Sequence, residues 1–327
     1  MPTMSNTATV PRLPPGPASP WWGFPLIGAM RRDYLNFVKG LQAYGDVTFM
    51  RLVWERAYDV LAPDLVRQVL VDNAAHLIRW ERGIEVFEQV FGQSVLVTEG
   101  ETWQRQRRML HAAFTPKRVA GYADLMCDAA HTGLQAAVPA DRNSSLVDMD
   151  VLFTRVTMDV IMRTLFGARA NGDSATAAQA TQTLSKIALR EMFHPFTLPD
   201  WLPLPGKAAK RRAMATLRSL IAAHIAEHPA TAAPSADLLS MLQSLRDEQT
   251  GQALSAQEIF DQCMVSFQAG HETTATALLW WSRLMAEHPQ AALRARAEVD
   301  QALGQRLPQA GDVAHLPWLG ATLKEAM

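Results

Sequence analysis

No proline interrupts the chain between Ser255 and Pro289. Ser255 is followed three residues later by Glu258, the spacing of a capping box in which each side chain satisfies the other residue's backbone N–H. The helix this predicts has about 33 residues and, at ~1.5 Å per residue, a length of roughly 50 Å, enough to cross a whole domain. Its middle reads "FQAGHETTATALLWW", residues 267–281, where Gly270 precedes four hydrogen-bonding side chains, His271, Glu272, Thr273 and Thr274. Glycine weakens a helix by about 1 kcal/mol relative to alanine, and threonine hydroxyls compete for its carbonyls. Two readings of the residues stand side by side. In one, small Ala269 and Gly270 let a flat ligand approach the backbone while Glu272 and Thr273 hold water and move protons beside it. In the other, Gly270 lets two helices cross closely and the polar residues face solvent. A zinc protease helix is excluded, because HExxH needs histidine where Ala275 stands.

The chain has 327 residues, 48% of them hydrophobic and 19% charged, which fits one large core or two coupled subdomains. Its 31 Lys+Arg against 32 Asp+Glu argue against nucleic acid as a partner. Two distant cysteines, Cys127 and Cys263, argue for a reducing compartment and against a zinc framework. No apolar run approaches the ~18 residues of a membrane span, and the N-terminus has no secretory layout, so a cytoplasmic location is expected.

Residues 1–20 are rich in Pro, Ser and Thr and predict a flexible, extended arm. Residues 21–80 are expected to form a small β-rich unit, with a hairpin of "DVTFMRLV" (46–53) and "YDVLA" (58–62), then a helix opened by Pro63. Residues 81–327 read as a helical domain. Thr98 and Glu101 suggest a capping box for "WQRQRRMLHAAF"; Thr115 and Pro116 suggest a further helix start. Apolar residues from Met149 to Leu165 recur at helical spacing up to Gly167, and Pro289 and Pro317 open two more helices. The region 170–254 reads as long helices joined by loops. The loops 80–97 and 170–206, with Phe87, Val90, Phe91, Phe193 and Trp201, are expected to shape a pocket. The predicted fold class is mainly α with a small β-sheet.

On the helix from Trp103, Trp103 and Arg107 are four apart and share a face, where an indole N–H and a guanidinium can both reach a carboxylate. The bland alternative is a basic surface helix anchored by one tryptophan. Arg105 and Arg108 point elsewhere and are expected to be solvated; with Lys117 and Arg118 they offer a docking face for an acidic partner.

Order and context join these pieces. "LPPGP", "EGETWQRQRRMLHAAF", "TMDVIMRTLFG", "FQAGHETTATALLWW", "EHPQAALRARAEVDQAL" and "LPWLGATLKEAM" together resemble the cytochrome P-450 family of heme-thiolate monooxygenases. Ala269 to Thr274 meet every position of its long-helix motif: Ala/Gly, Gly, any residue, Asp/Glu, Thr, Thr/Ser. The resemblance implies a cytochrome P-450-like helical fold and a heme b (iron protoporphyrin IX) cofactor. It implies that Ala269 and Gly270 lie over the heme, that Glu272 and Thr273 deliver protons, and that Trp103 and Arg107 bind a propionate. His271 falls at the variable position.

The implied reaction inserts one oxygen atom from O2 into an apolar substrate, a fatty acid, terpenoid or similar, with electrons from a separate ferredoxin, flavodoxin or reductase. The helix motifs lean toward the fatty-acid hydroxylases. Glu325 matches the glutamate of the family's E-x-x-R motif, and the sequence ends at Met327, before that arginine and before the loop that carries the family's axial cysteine. The chain is therefore expected to be an N-terminal portion, inactive alone, with no metal ligand of its own. The alternative is a non-catalytic helical small-molecule-binding or interaction protein from a truncated gene.

Overall fold

In the computed structural model, residues 13–137, 146–167, 173–194, 198–228 and 237–327 are described, with the side chains of 173–175 left aside. Residues 1–12 of the expected arm and residues 229–236 of the region read as helices and loops lie outside them. The chain divides after Arg79 into two units. The first holds α1 (Phe24–Arg32), α2 (Tyr34–Leu41), the hairpin β1 (Val47–Leu52) and β2 (Glu55–Val60), and α3 (Pro63–Arg67). The strands are antiparallel, Val47 opposite Val60, so the hairpin forms with its second strand three residues earlier than the apolar pattern indicates. Pro15 to Ser19 do not stand free. The Phe49 N–H donates to the Pro15 carbonyl (3.1 Å) and the Arg51 N–H to Ser19 Oγ (3.2 Å), so this part of the arm is docked along β1.

The second unit is helical: α4 (Glu81–Phe91), α5 (Gly100–His111), α6 (Pro116–Gly121), α7 (Ala123–Ala137), α8 (Met149–Phe166), α9 (Asp173–Met192), α10 (Pro205–Glu227), α11 (Leu238–Ser244), α12 (Ala256–Glu287), α13 (Pro289–Leu303) and α14 (Pro317–Ala326). α12 runs 32 residues, and its capping box forms from both sides: Ser255 Oγ accepts from the Glu258 N–H, and Glu258 Oε2 accepts from the Ser255 N–H. α8 and α13 start and stop where their apolar period, prolines and glycines place them, with Gly167 left-handed after α8, and α14 starts at Pro317 as expected. The predicted box at Thr98 does not form. Thr98 is buried and its hydroxyl turns to the Ser94 carbonyl and to Gln106 Oε1 (3.0 Å), so α5 begins at Gly100 instead. Thr115 and Pro116 do open α6, though without a side-chain capping bond.

The core gathers Met158, Leu165, Leu184, Leu217, Leu239 and Phe267 from α8, α9, α10, α11 and α12. α12 packs most extensively on α8 and also meets α4, α10 and α14. The side of Gly270 where a Cβ would stand is closed by Ile161 Cδ1 at 2.6 Å, so the absence of a side chain sets the distance at which α12 crosses α8. The α4–α12 contact depends on a second glycine. Gly92 ends α4 at φ 56°, ψ −144°, a conformation side chains resist, and a Cβ there would lie 2.4 Å from the Asp261 carboxylate, which accepts the Gln93 N–H at 2.8 Å. Gly92→Ala is expected to destabilise the protein by about 2–3 kcal/mol through backbone strain and overpacking together, read as a lower urea midpoint with unchanged slope.

Candidate functional site

α12 carries two different faces through its polar middle. Cys263, Phe267, His271 and Ala275, four apart, point into the core and are buried. His271 is 2% exposed; its Nδ1 lies 3.0 Å from the Phe267 carbonyl, and burial lowers its pKa, so it is a neutral core imidazole. On another face Ala269, Glu272, Thr273, Thr276 and Trp280 line a cleft of about 550 Å³, within the ~300–1,000 Å³ range of ligand sites. The hydroxyl of Thr273 donates to the Ala269 carbonyl (2.7 Å) and that of Thr274 to the Gly270 carbonyl (3.2 Å). The two threonine hydroxyls are therefore satisfied within the helix.

The opposite walls come from Phe87 and Phe91 of α4, Leu96, and Ser185 of α9. Residues 81–91 are helix, not loop. Within them Val90 belongs to the core, while Phe193 meets Trp80 with tilted rings 6.0 Å apart and Trp201 is 76% exposed. Of the five aromatic and aliphatic residues expected at the pocket, Phe87 and Phe91 line this cleft. Two residues that the sequence did not single out join it: Ser185, whose Oγ donates to Glu272 Oε2 at 2.6 Å, and buried Gln268, whose Nε2 has no hydrogen-bond partner among the described residues. No signal in either local sequence marks them, since both arise from helices meeting.

On α5, the Arg107 guanidinium lies over the Trp103 ring at 5.9 Å; Trp103 is half-buried and Arg107 exposed. Neither lines the cleft. Of the neighbouring arginines, Arg108 is exposed as expected, whereas Arg105 is largely withdrawn from solvent. Arg105 pairs with Glu258 in the first turn of α12, and Arg108 reaches buried Asp247 at 3.3 Å. Both pairs tie α5 to its neighbours, and Arg108 stays exposed while it does so.

A heme needs a wall without long side chains and a cation near its carboxylates. Ala269 and Thr273 offer the first at the cleft, so its wall fits the group; Arg107 makes no ion pair among the described residues and is a cation on α5 that lies outside the cleft lining. Gly270 faces Ile161, so its contribution at this crossing is to helix packing. The cysteines do not fit as thiolate ligands: burial pushes the Cys263 thiol up to about 12 and raises that of Cys127. No cluster of three metal-ligating side chains occurs among the described residues, and no described helix is long and apolar enough to cross a membrane.

The family model described as Cytochrome P450 matches residues 14–327. Cyclooctat-9-en-7-ol 5-monooxygenase of Streptomyces melanosporofaciens is 31% identical over 325 residues, covering 95% of this chain and 69% of that protein. Cyclooctatin synthase of the same organism is 33% identical, covering 93% and 66%. Pentalenene oxygenase of Streptomyces avermitilis is 27% identical, covering 93% and 67%. The chain spans about two-thirds of the length of these relatives.

The Arg105–Glu258 pair carries a pH dependence. Burial alone would raise the Glu258 carboxyl; the Ser255 backbone N–H and the Arg105 guanidinium outweigh it and hold the carboxyl below its ordinary value. Stability from this group is thus fully present above the ordinary glutamate value of about 4.3 and is lost as pH falls through the lower folded value. Glu258→Gln is expected to flatten that acid limb in urea melts from about pH 3 to about pH 7. Arg105→Ala should cost about 2 kcal/mol at neutral pH.

Proposed function

Because the chain belongs to the cytochrome P450 family, the monooxygenase family its motifs resemble, we propose that the protein it forms oxygenates an apolar cyclic substrate of the terpenoid kind at a heme b held against α12. The observation that carries this reading is the cleft whose wall sets Ala269 and Thr273 beside the carboxylate of Glu272. Two relatives' names specify cyclooctat-9-en-7-ol and pentalenene, which favours a compact cyclic substrate over the fatty acid chain the helix motifs suggest. The cleft's aromatic side, Phe87 and Phe91 with ring centroids 5.6 Å apart, suits such a skeleton.

When bound, the heme supplies activation of dioxygen at its iron. The reaction consumes O2, two electrons from a separate donor protein and two protons; one oxygen atom enters the substrate and the other leaves as water. The residues of this chain do the remaining work. Ala269 and the Thr273 methyl let the cofactor approach the helix. Trp103 and Arg107 would hold a propionate of the bound group. Glu272 takes protons from water and passes them on at its carboxylate, and the Thr273 hydroxyl, free to exchange its helix carbonyl for a cleft water, directs them.

The test uses the full-length, heme-loaded protein with a panel of cyclic terpenoid alkenes and alcohols set against fatty acids. Thiolate-type absorption of the reduced carbon monoxide complex with turnover of the cyclic compounds is expected; turnover of fatty acids alone would overturn the substrate class. Thr273→Ala should retain substrate binding and lose about tenfold in product per electron consumed. Arg107→Ala should weaken heme retention by about tenfold, read as loss of heme to a scavenging apoprotein.

A further inference from the structure

Of the cleft-lining residues, Glu272 carries the carboxylate, and the way it is held differs from that of several other carboxylates in the helical unit. Glu191 is gripped by Lys207 and Lys210, Glu258 by Arg105, and Asp312 by Arg306. Glu272 makes no ion pair among the described residues. Its partner is a neutral hydroxyl, Ser185 Oγ, which donates to Oε2 at 2.6 Å from a different helix, α9. A lysine or arginine at that place would favour the charged carboxylate and oppose its uptake of a proton. A serine hydroxyl both donates and accepts, so it selects one orientation of the carboxylate without fixing its charge. Both side chains line the cleft, so the bond sits where the carboxylate meets the reacting volume.

Resting on the oxygenase reading, we propose that Ser185 is a positioning residue for proton delivery: its hydroxyl holds the Glu272 carboxylate toward the cleft beside Thr273. Ser185 touches no reacting atom and acts through Glu272. The orientation is set by the meeting of α9 with α12, so any change that shifts α9 also moves the proton donor. Proton delivery therefore draws on both helices, with α12 supplying the acid and the alcohol and α9 fixing where the acid points.

The experiment compares S185A, S185T and E272Q in the full-length, heme-loaded protein. S185A is expected to lower product formation by about tenfold, with the missing electrons recovered as peroxide or water and the substrate Kd, from the absorption change on binding, unchanged within about twofold. S185T, which keeps the hydroxyl, should return product formation to within about twofold of the wild type. A readout independent of turnover is the infrared carboxylate band of 13C-glutamate-labelled protein, assigned by its loss in E272Q; the band should shift in S185A and return in S185T. Wild-type turnover in S185A, a Kd that weakens in step with the rate, or an S185T as impaired as S185A would each overturn the positioning role while leaving the oxygenase reading intact. A wild type that loads heme yet oxygenates no apolar substrate would overturn that reading, and this role with it.

Discussion

The crossing of α12 on α8 fixes the geometry on which the rest of the helical unit depends. At Gly270 the missing side chain admits Ile161, and a Cβ would stand 2.6 Å from its Cδ1. Once that contact sets the rotation of α12 about its axis, the ~100° step between residues decides every other assignment. Phe267, His271 and Ala275 turn into the core, while Ala269, Thr273 and Thr276 turn to the cleft. A bulkier residue at 270 would push the helices apart and rotate both faces away from their neighbours.

The polar run then reads as a division of labour. His271 is desolvated and neutral, a core residue despite its chemistry. Thr273 and Thr274 return their hydroxyls to the carbonyls one turn back, which keeps the helix continuous through a segment of weak propensity. Glu272 keeps its carboxylate at the cleft and finds its partner on α9. A single short segment thus serves packing, helix continuity and the site.

The arginines of α5 sort by the same principle. Arg105 and Arg108 face carboxylates brought to them by the capped start of α12 and by Asp247, and they anchor the helix. Arg107, on the face shared with Trp103, makes no ion pair among the described residues and lies over the indole ring. In the sequence the three are equivalent members of a basic run; what separates them is which carboxylates surround the helix.

Much of this protein follows from the sequence alone. The capping box at Ser255 and Glu258, the prolines at 289 and 317 and the glycine at 167 are local signals, and local backbone chemistry fixed α12, α13, α14 and the end of α8. The run from Ala269 to Thr274 stood out for the same reason, since polar residues and glycine inside a long helix carry a local energetic cost, but that cost alone left open whether it served a site or a helix crossing. Tertiary structure decided what depends on neighbours distant in the chain. It sent the Thr98 hydroxyl to Gln106 instead of a helix cap, turned Gly270 toward Ile161, paired Arg105 with Glu258 and brought Ser185 to Glu272, 87 residues away. Periodicity and capping act within a few residues, whereas a hydrogen bond between two helices exists only after the core has set their distance and rotation.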